Sequence, residues 1–216
     1  MKIGELKKTF MQVIRVLVHE GLIGAQFYVG CRLDKQRMLF IRNMSPLLMT
    51  EKDILTVKIG EEPPLGYLAA AIYHAREDVR AVVHAHPPMC IAVSTLEEAF
   101  RPLHHYGAVF YQGVPLYDFP GQVNTREKAA DIARTLGRHS ALFIRGHGTV
   151  TVAGNLQEAC LLTIYLEEAA RMFHWTRSMG TPKYFPEDLA REIAGQVFKE
   201  RSNIKAWNHY VAKLDA

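Results

Sequence analysis

The stretch Val82-Val83-His84-Ala85-His86-Pro87-Pro88 restricts the fold more than any other part of the chain. Residues 80–84 form a short apolar run of the kind found in buried strands. Two prolines directly after it stop the strand and hold its end in a fixed geometry. Side chains alternate along a strand, so His84 and His86 project to the same side. Two such imidazoles can share one metal ion, and imidazole suits zinc, manganese, iron or nickel. The same spacing also fits two edge-strand histidines hydrogen-bonded to solvent or backbone. A second block, Arg145-Gly146-His147-Gly148-Thr149, lies between two further strand-like runs. The flanking glycines give His147 backbone freedom and no neighbouring bulk, which suits a ligand reaching a shared site from another strand. A tight turn with an incidental histidine fits that block equally. Three histidines from two strand ends would leave coordination positions open, as a catalytic metal requires.

Around these blocks short strands and helices are mixed. Ile3, Leu6, Phe10, Val13, Ile14 and Leu17 form a helical stripe over residues 3–20, ended by Gly21 and Gly24. Residues 25–33 and 37–42, joined by Asp34-Lys35-Gln36, read as a hairpin, and 54–59 as another strand. Residues 64–76 are alanine-rich and helical, and Pro87-Pro88 opens a further helix. Residues 108–111 and 114–117 read as short strands. Asn124 and Thr125 are candidate caps for a helix running to Leu136 and closed by Gly137. Residues 141–145 and 149–152 are strands, Asn155 caps a long helix to about Trp175, and 186–214 holds one or two more helices. A strict βαβ alternation is missing, which predicts an α/β sandwich around a mixed or antiparallel sheet. With no repeat, low-complexity tract or linker, the 216 residues are expected to form one domain, 1–216.

Basic residues are scattered, and a net charge of +4 without any Lys/Arg run gives nucleic-acid binding no support. Local arginines can still favour anionic small substrates. Cys31, Cys90 and Cys160 form no Cys-x-x-Cys pair and are expected to be buried, inert thiols of a reducing compartment. The N-terminal stretch from Met1 reads as an amphipathic helix, not a signal peptide, and no window has the length of apolar residues that a membrane span needs. The expected location is cytoplasmic.

Residues 70–86, with His74-Ala75-Arg76 and Val82-Val83-His84-Ala85-His86, resemble the signature of the class II aldolase/adducin family. So do Ala141-Leu142-Phe143-Ile144-Arg145-Gly146-His147-Gly148, Val152-Ala153-Gly154-Asn155-Leu156-Gln157-Glu158-Ala159 and Leu166-Glu167-Glu168-Ala169-Ala170-Arg171. The resemblance implies a three-layer α/β/α sandwich with a mostly antiparallel central sheet. It implies one divalent ion per subunit, commonly zinc with manganese or iron as alternatives, held by His84, His86 and His147. It further implies a homotetramer with active sites between subunits. Family members include sugar-phosphate aldolases, epimerases, a dehydratase, decarboxylases and the non-catalytic adducin head.

The departures from the aldolase pattern bear on function. Sugar-phosphate aldolases carry an acidic residue nineteen positions before the first metal histidine, and that position is Leu65 here. Glu61 and Glu62 lie just upstream and read as solvated loop residues. The phosphate-binding Gly-Asn-x-Ser loop corresponds to Gly24-Ala25-Gln26-Phe27-Tyr28-Val29-Gly30, where bulky groups replace Asn and Ser. Arg42-Asn43-Met44-Ser45-Pro46-Leu47 lacks the second, Ser-Gly, loop. A phosphorylated substrate is therefore not expected. The Arg-Gly-His-Gly and His-Ala-His-Pro blocks resemble the decarboxylase members, so the expected activity is a metal-dependent carbon–carbon lyase acting on a small carboxylate or carbonyl substrate. Tyr106, near the position of the aldolase tyrosine acid, is the candidate proton donor, with His105 and His104 as alternates. Arg145 and Arg42 are candidate anchors for a substrate carboxylate. Trp207-Asn208-His209-Tyr210 is a candidate for closing a neighbouring subunit's site, or for packing on its own domain. An aldolase for a non-phosphorylated substrate, an Fe(II)-dependent oxygenase and a non-catalytic adducin-like module are the alternatives.

Overall fold

The structure, a computed structural model, describes residues 3–215; Met1, Lys2 and Ala216 lie outside the described residues. Helix α1 (Ile3–His19) buries the predicted stripe through Phe10, Val13, Ile14 and Leu17 and ends before Gly21, whose φ is 70°. The predicted hairpin is β1 (Tyr28–Arg32) and β2 (Arg37–Ile41), followed by β3 (Ile54–Lys58). The Asp34 carboxylate accepts the backbone N–H groups of Gln36 and Arg37 and so fixes the turn. Helix α2 (Tyr67–Ala75), β4 (Ala81–Ala85) and α3 (Pro88–Val93) come next, with proline opening α3 as expected. Then follow β5 (Leu116–Tyr117), α4 (Arg126–Leu136), β6 (Ala141–Ile144), β7 (Gly148–Ala153) and the long α5 (Leu156–Met179). Thr125 caps α4 and Asn155 caps α5, each side chain accepting the N–H three residues on. Helices α6 (Glu187–Val197) and α7 (Glu200–Ala212) complete the described chain.

The strands form one mixed sheet in the order β3-β2-β1-β4-β7-β6-β5, with β5–β6 parallel and the other pairings antiparallel. Strand β4, which carries the first histidine, is therefore central. At Gly30 of β1 an added Cβ would lie 3.2 Å from Ala69 and 3.3 Å from the Tyr73 hydroxyl, so α2 sits close over one face of the sheet. From β7 the Thr151 hydroxyl reaches Thr163 (2.6 Å) and the Ala159 carbonyl (3.2 Å) of α5, and Thr151 points to the other face. Helices α2 and α4 pack together on the first side, and α5 packs with α1 and α3 on the second. The result is an α/β/α arrangement around a continuous apolar core. It explains why β1, β4, β6 and β7 are almost wholly buried rather than alternating.

One predicted strand is corrected. Residues 108–110 belong to a 3-10 helix, Tyr106–Phe110, and Tyr111 is its C-cap. The Ala108 N–H bonds back to the His104 and His105 carbonyls, and Phe110 buries its ring. The β-branched and aromatic composition there serves packing against α5 and α6, not sheet pairing.

The β6–β7 turn must come very close to the end of β4. Gly146 has φ 61°, a left-handed conformation that favours glycine. A Cβ on Gly148 would collide with the Ala85 carbonyl oxygen and approach His86 Cδ2 to 3.1 Å. We expect Gly148→Ala to destabilise the fold by about 1–3 kcal/mol, as overpacking does, and to lower metal content. Denaturant titration and elemental analysis of the purified variant check both effects.

Candidate metal centre

Strand β4 delivers His84 at its last turn of pleat, and His86 follows just beyond its end; the β6–β7 turn delivers His147. Register sets His84 opposite Tyr28 of β1 and Val150 of β7. One potential ligand atom from each of the three histidines lies within 4.8 Å of the others. Ring centres are 4.7 Å apart for His84–His86 and 5.2 Å for both His84–His147 and His86–His147. Spacing in sequence left open whether the three rings meet; the fold brings them together.

Each ring is held by a backbone group. His84 Nδ1 lies 2.9 Å from the Thr149 carbonyl and His147 Nδ1 lies 3.1 Å from the Gly121 carbonyl. A carbonyl only accepts, so both Nδ1 atoms carry the hydrogen and both Nε2 atoms keep a lone pair for a ligand. The His86 ring is hydrogen-bonded to the backbone of Gln26. Burial drives the His84 pKa down to about 3, with the neighbouring His86 and His147 adding to the effect and the Thr149 hydrogen bond opposing it. Burial, then His147, also lowers His86. Neutral, oriented imidazoles are the ligand form, so the donor set fits a divalent ion.

The three histidines open on a cavity of about 500 Å³ lined also by Gln26, Phe27, Tyr28, Pro64, Leu65, Gln122, Val123 and Asn124. None of these lining residues is Lys, Arg, Asp or Glu. Leu65 does stand at the cavity, as the resemblance to the aldolases implied. Glu61 is exposed and pairs with Lys58 at 3.1 Å. Glu62 corrects the expectation of a solvated residue: it is buried, accepts the Gly60 N–H and pairs with Arg126. That pair anchors the loop that carries Leu65.

The other predicted site residues do not line this cavity within one chain. Tyr106 and His105 border a separate cavity of about 490 Å³ with Tyr165, Glu168, His209 and Tyr210. Tyr106 stacks on Tyr165 at 4.7 Å and remains 39% exposed. His104 is half-buried with neither ring nitrogen bonded among the described residues. Arg145 pairs with Asp118, and Arg42 with Asp53 at 3.4 Å. Tyr28, Gln26, Gln122 and Asn124 were missed by sequence reasoning. Gln26 and Tyr28 had a signal, their place in the stretch that matches the aldolase phosphate-binding loop, but the register of Tyr28 against His84 was not readable. Glu167 was missed as well: its carboxylate accepts the N–H groups of Met89 (3.1 Å) and Cys90 (3.0 Å) and secures α3 directly behind His86.

Residues 30–174, a span that holds all three histidines, match the family model of the Class II Aldolase and Adducin N-terminal domain. The chain belongs to this family. A 3,4-dihydroxyphthalate decarboxylase of Arthrobacter keyseri is 29% identical over 94% of this chain and 91% of its own length. The decarboxylase NovR of Streptomyces niveus is 30% identical over 65% of this chain and 52% of its own. Among solved structures, an L-fuculose 1-phosphate aldolase from Glaciozyma antarctica PI12 superposes with a TM-score of 0.83 at 21% identity, over 97% of this chain and 88% of that one. This class II aldolase fold thus carries the three-histidine group at the end of its central strand.

The depressed His84 pKa has a stability consequence. Between about pH 6.5 and 3 the unfolded chain binds a proton at this site that the folded chain refuses. Metal-free protein should keep this contribution above pH 6.5 and lose stability as pH falls, by up to about 1.4 kcal/mol per pH unit for this one site. Denaturant titrations of stripped protein at several pH values, compared with His84→Gln, should give a shallower slope for the variant. Added zinc should raise the wild-type unfolding midpoint in proportion to its binding.

Proposed function

We propose that the chain is a metal-dependent carbon–carbon lyase, specifically a decarboxylase of a non-phosphorylated hydroxyaromatic or hydroxy/keto carboxylate. The observation that carries this reading is the pairing of three clustered histidines with a cavity wall in which Leu65 takes the place of an acid/base. An aldolase must remove or return a carbon-bound proton or hydroxyl proton, which leucine cannot do. Decarboxylation makes no such demand in its cleavage step. The bond between carbon and carboxylate breaks, its electron pair stays on the substrate carbon, and CO2 departs; that carbon then takes one proton. The similarity to decarboxylases along nearly the whole chain supports the same choice.

Zinc, or manganese or iron on the same donors, would supply a Lewis acid that draws charge from a substrate oxygen next to the carboxylate. The chain's own residues do the rest. The Thr149 and Gly121 carbonyls hold His84 and His147 in one tautomer. Phe27, Pro64, Leu65 and Val123 keep water from a flat substrate, and the side-chain amides of Gln26, Gln122 and Asn124 offer donors to its oxygens. The absence of a cationic side chain from this wall disfavours a phosphate ester. Arg42 and Arg145 would reach a substrate carboxylate only by leaving Asp53 and Asp118.

The proton donor is the Tyr106 hydroxyl with His105 beside it, acting in a neighbouring subunit's site within a homotetramer. Its exposure, in a cavity rich in tyrosines and separate from the histidines, supports a role across an interface. Tyr210 and His209 border the same cavity, so the C-terminal segment belongs to that face. Free buried Cys31, Cys90 and Cys160 support a cytoplasmic, reducing setting, and no helix among the described residues is long and apolar enough to cross a membrane.

Metal-loaded protein should release CO2 from members of a panel of hydroxybenzoates and hydroxyphthalates. It should not cleave sugar phosphates or condense pyruvate with aldehydes. Aldol turnover without CO2 release rejects the decarboxylase, and oxygen uptake dependent on Fe(II) points to an oxygenase. His86→Ala and Tyr106→Phe should each lose at least about a hundredfold in kcat, within the range removed with a general acid. Unfolding and refolding the two variants together should restore about a quarter of wild-type activity, because random assembly pairs intact halves of the site. No recovery on mixing would place Tyr106 outside the neighbour's site.

A further inference from the structure

The cavity beside the three histidines takes part of its wall from two separate loops. Pro64 and Leu65 come from the segment before α2, and Gln122, Val123 and Asn124 from the segment before α4. Among the described residues, both hydrogen bonds that join these segments come from one side chain, Arg126, at the first position of α4. Its guanidinium donates to the Glu62 carboxylate and, at 2.9 Å, to the Gly60 carbonyl. It also lies 4.4 Å over the ring of Tyr67, where α2 begins. Glu62 in turn accepts the Gly60 N–H and so closes its own loop.

The pair differs from the exposed ion pairs elsewhere on the chain. The Glu62 side chain is fully enclosed, while that of Arg126 is about half exposed. A pair exposed on both sides contributes little. A buried carboxylate is costly to leave without its cation, so the first loop stays folded over Glu62 only while Arg126 stays beside it. Arg126 can do so only with the start of α4, and hence residues 122–124, held against residues 60–65. Glu62 is three residues from Leu65 and Arg126 is two from Asn124, so the pair acts close to the cavity wall. Helices α2 and α4 also pack on one another. The layer therefore has other support, and the pair acts on the loops that precede the two helices.

We propose that Glu62 and Arg126 are positioning residues: their ion pair clasps the two loops together and sets the spacing of the walls that hold a substrate ring beside the metal centre. Neither residue lines the cavity itself. The inference rests on the lyase reading only in taking this cavity as the substrate site, and it does not depend on which bond is broken.

Thermal unfolding and calorimetric titration with salicylate, a single-ring hydroxylated carboxylate, test it on zinc-saturated protein. The proteins are wild type, Arg126→Met, and the double variant Glu62→Gln with Arg126→Met. Arg126→Met strands a buried carboxylate, so its unfolding midpoint should fall by roughly 5–10 °C. It should bind salicylate at least about tenfold more weakly than wild type. The double variant leaves no charge buried, and its amide oxygen can still accept the Gly60 N–H. Its midpoint should recover much of the loss, while its salicylate binding stays at least about tenfold weak because the clasp is still missing. Both variants should keep the wild-type zinc affinity. Recovery of salicylate binding together with stability in the double variant overturns the proposal, since the pair would then be structural only. A double variant as unstable as Arg126→Met overturns it too, as do wild-type salicylate affinity in Arg126→Met and loss of zinc by either variant. Each of these results leaves the lyase reading intact. Failure of wild type to bind salicylate overturns the proposal and the substrate cavity together.

Discussion

The pairing of β4 with β7 is the interaction on which the site depends. In its register Ala85 faces Thr149 and His84 faces Val150. That register carries the Thr149 carbonyl to His84 Nδ1, and it starts β7 only one residue after His147. A slip by one residue would turn every side chain of β4 to the opposite face and bury His84 under α5. Gly148 makes the pairing sterically possible, since any side chain there would strike the Ala85 carbonyl. The metal centre is thus a by-product of sheet geometry at the middle of the fold, where neighbours on both sides hold the strand ends.

Burial then gives the site its chemistry. A ring as enclosed as His84 resists protonation because the imidazolium would lose its hydration, and two nearby imidazoles add to that resistance. The same enclosure that costs the metal-free protein stability in acid keeps His84 and His86 deprotonated at neutral pH. Glu167 works from behind in the opposite sense. Its carboxylate is buried, yet it is held by the N–H groups that open α3 and by Arg171 at 3.4 Å. It therefore fixes the prolines that follow His86 without adding charge to the cavity, whose own lining residues are neutral.

Much of this was legible in the sequence, and the limits follow from range. The His-x-His pair at a proline-stopped strand is local, and period two alone puts both rings on one side. The caps Thr125 and Asn155 and the glycines at 21 and 137 are local too, and the helices they bound were read to within a few residues. Residues 108–111 were misread because burial, not backbone preference, selects Val109 and Phe110, and the partner that would have made a strand is absent. Glu62 was misread because its partner, Arg126, is sixty-four residues away. The parallel edge pair β5–β6 and the opposition of Tyr28 to His84 depend on strand order, which no local pattern encodes.

Leu65 and Tyr28 are best understood together. Leu65 stands where the resemblance to sugar-phosphate aldolases implies an acid/base, and Tyr28 lies in the stretch that matches their phosphate-binding loop. In the folded chain they border the same cavity, along with Phe27 and the histidines. With Phe27, Pro64 and Val123 they give the cavity a largely apolar wall, edged by the amide side chains of Gln26, Gln122 and Asn124. Under the proposed reading such a wall supplies shape and neutral donors and leaves the stabilisation of negative charge to the metal. Within a single chain no Asp, Glu, Lys or Arg side chain lines the cavity, so the proposed proton donor lies elsewhere. Under the proposed reading, with charge handled at the strand ends and the proton brought from the separate tyrosine-rich face around Tyr106, the site is completed by assembly and not within each chain.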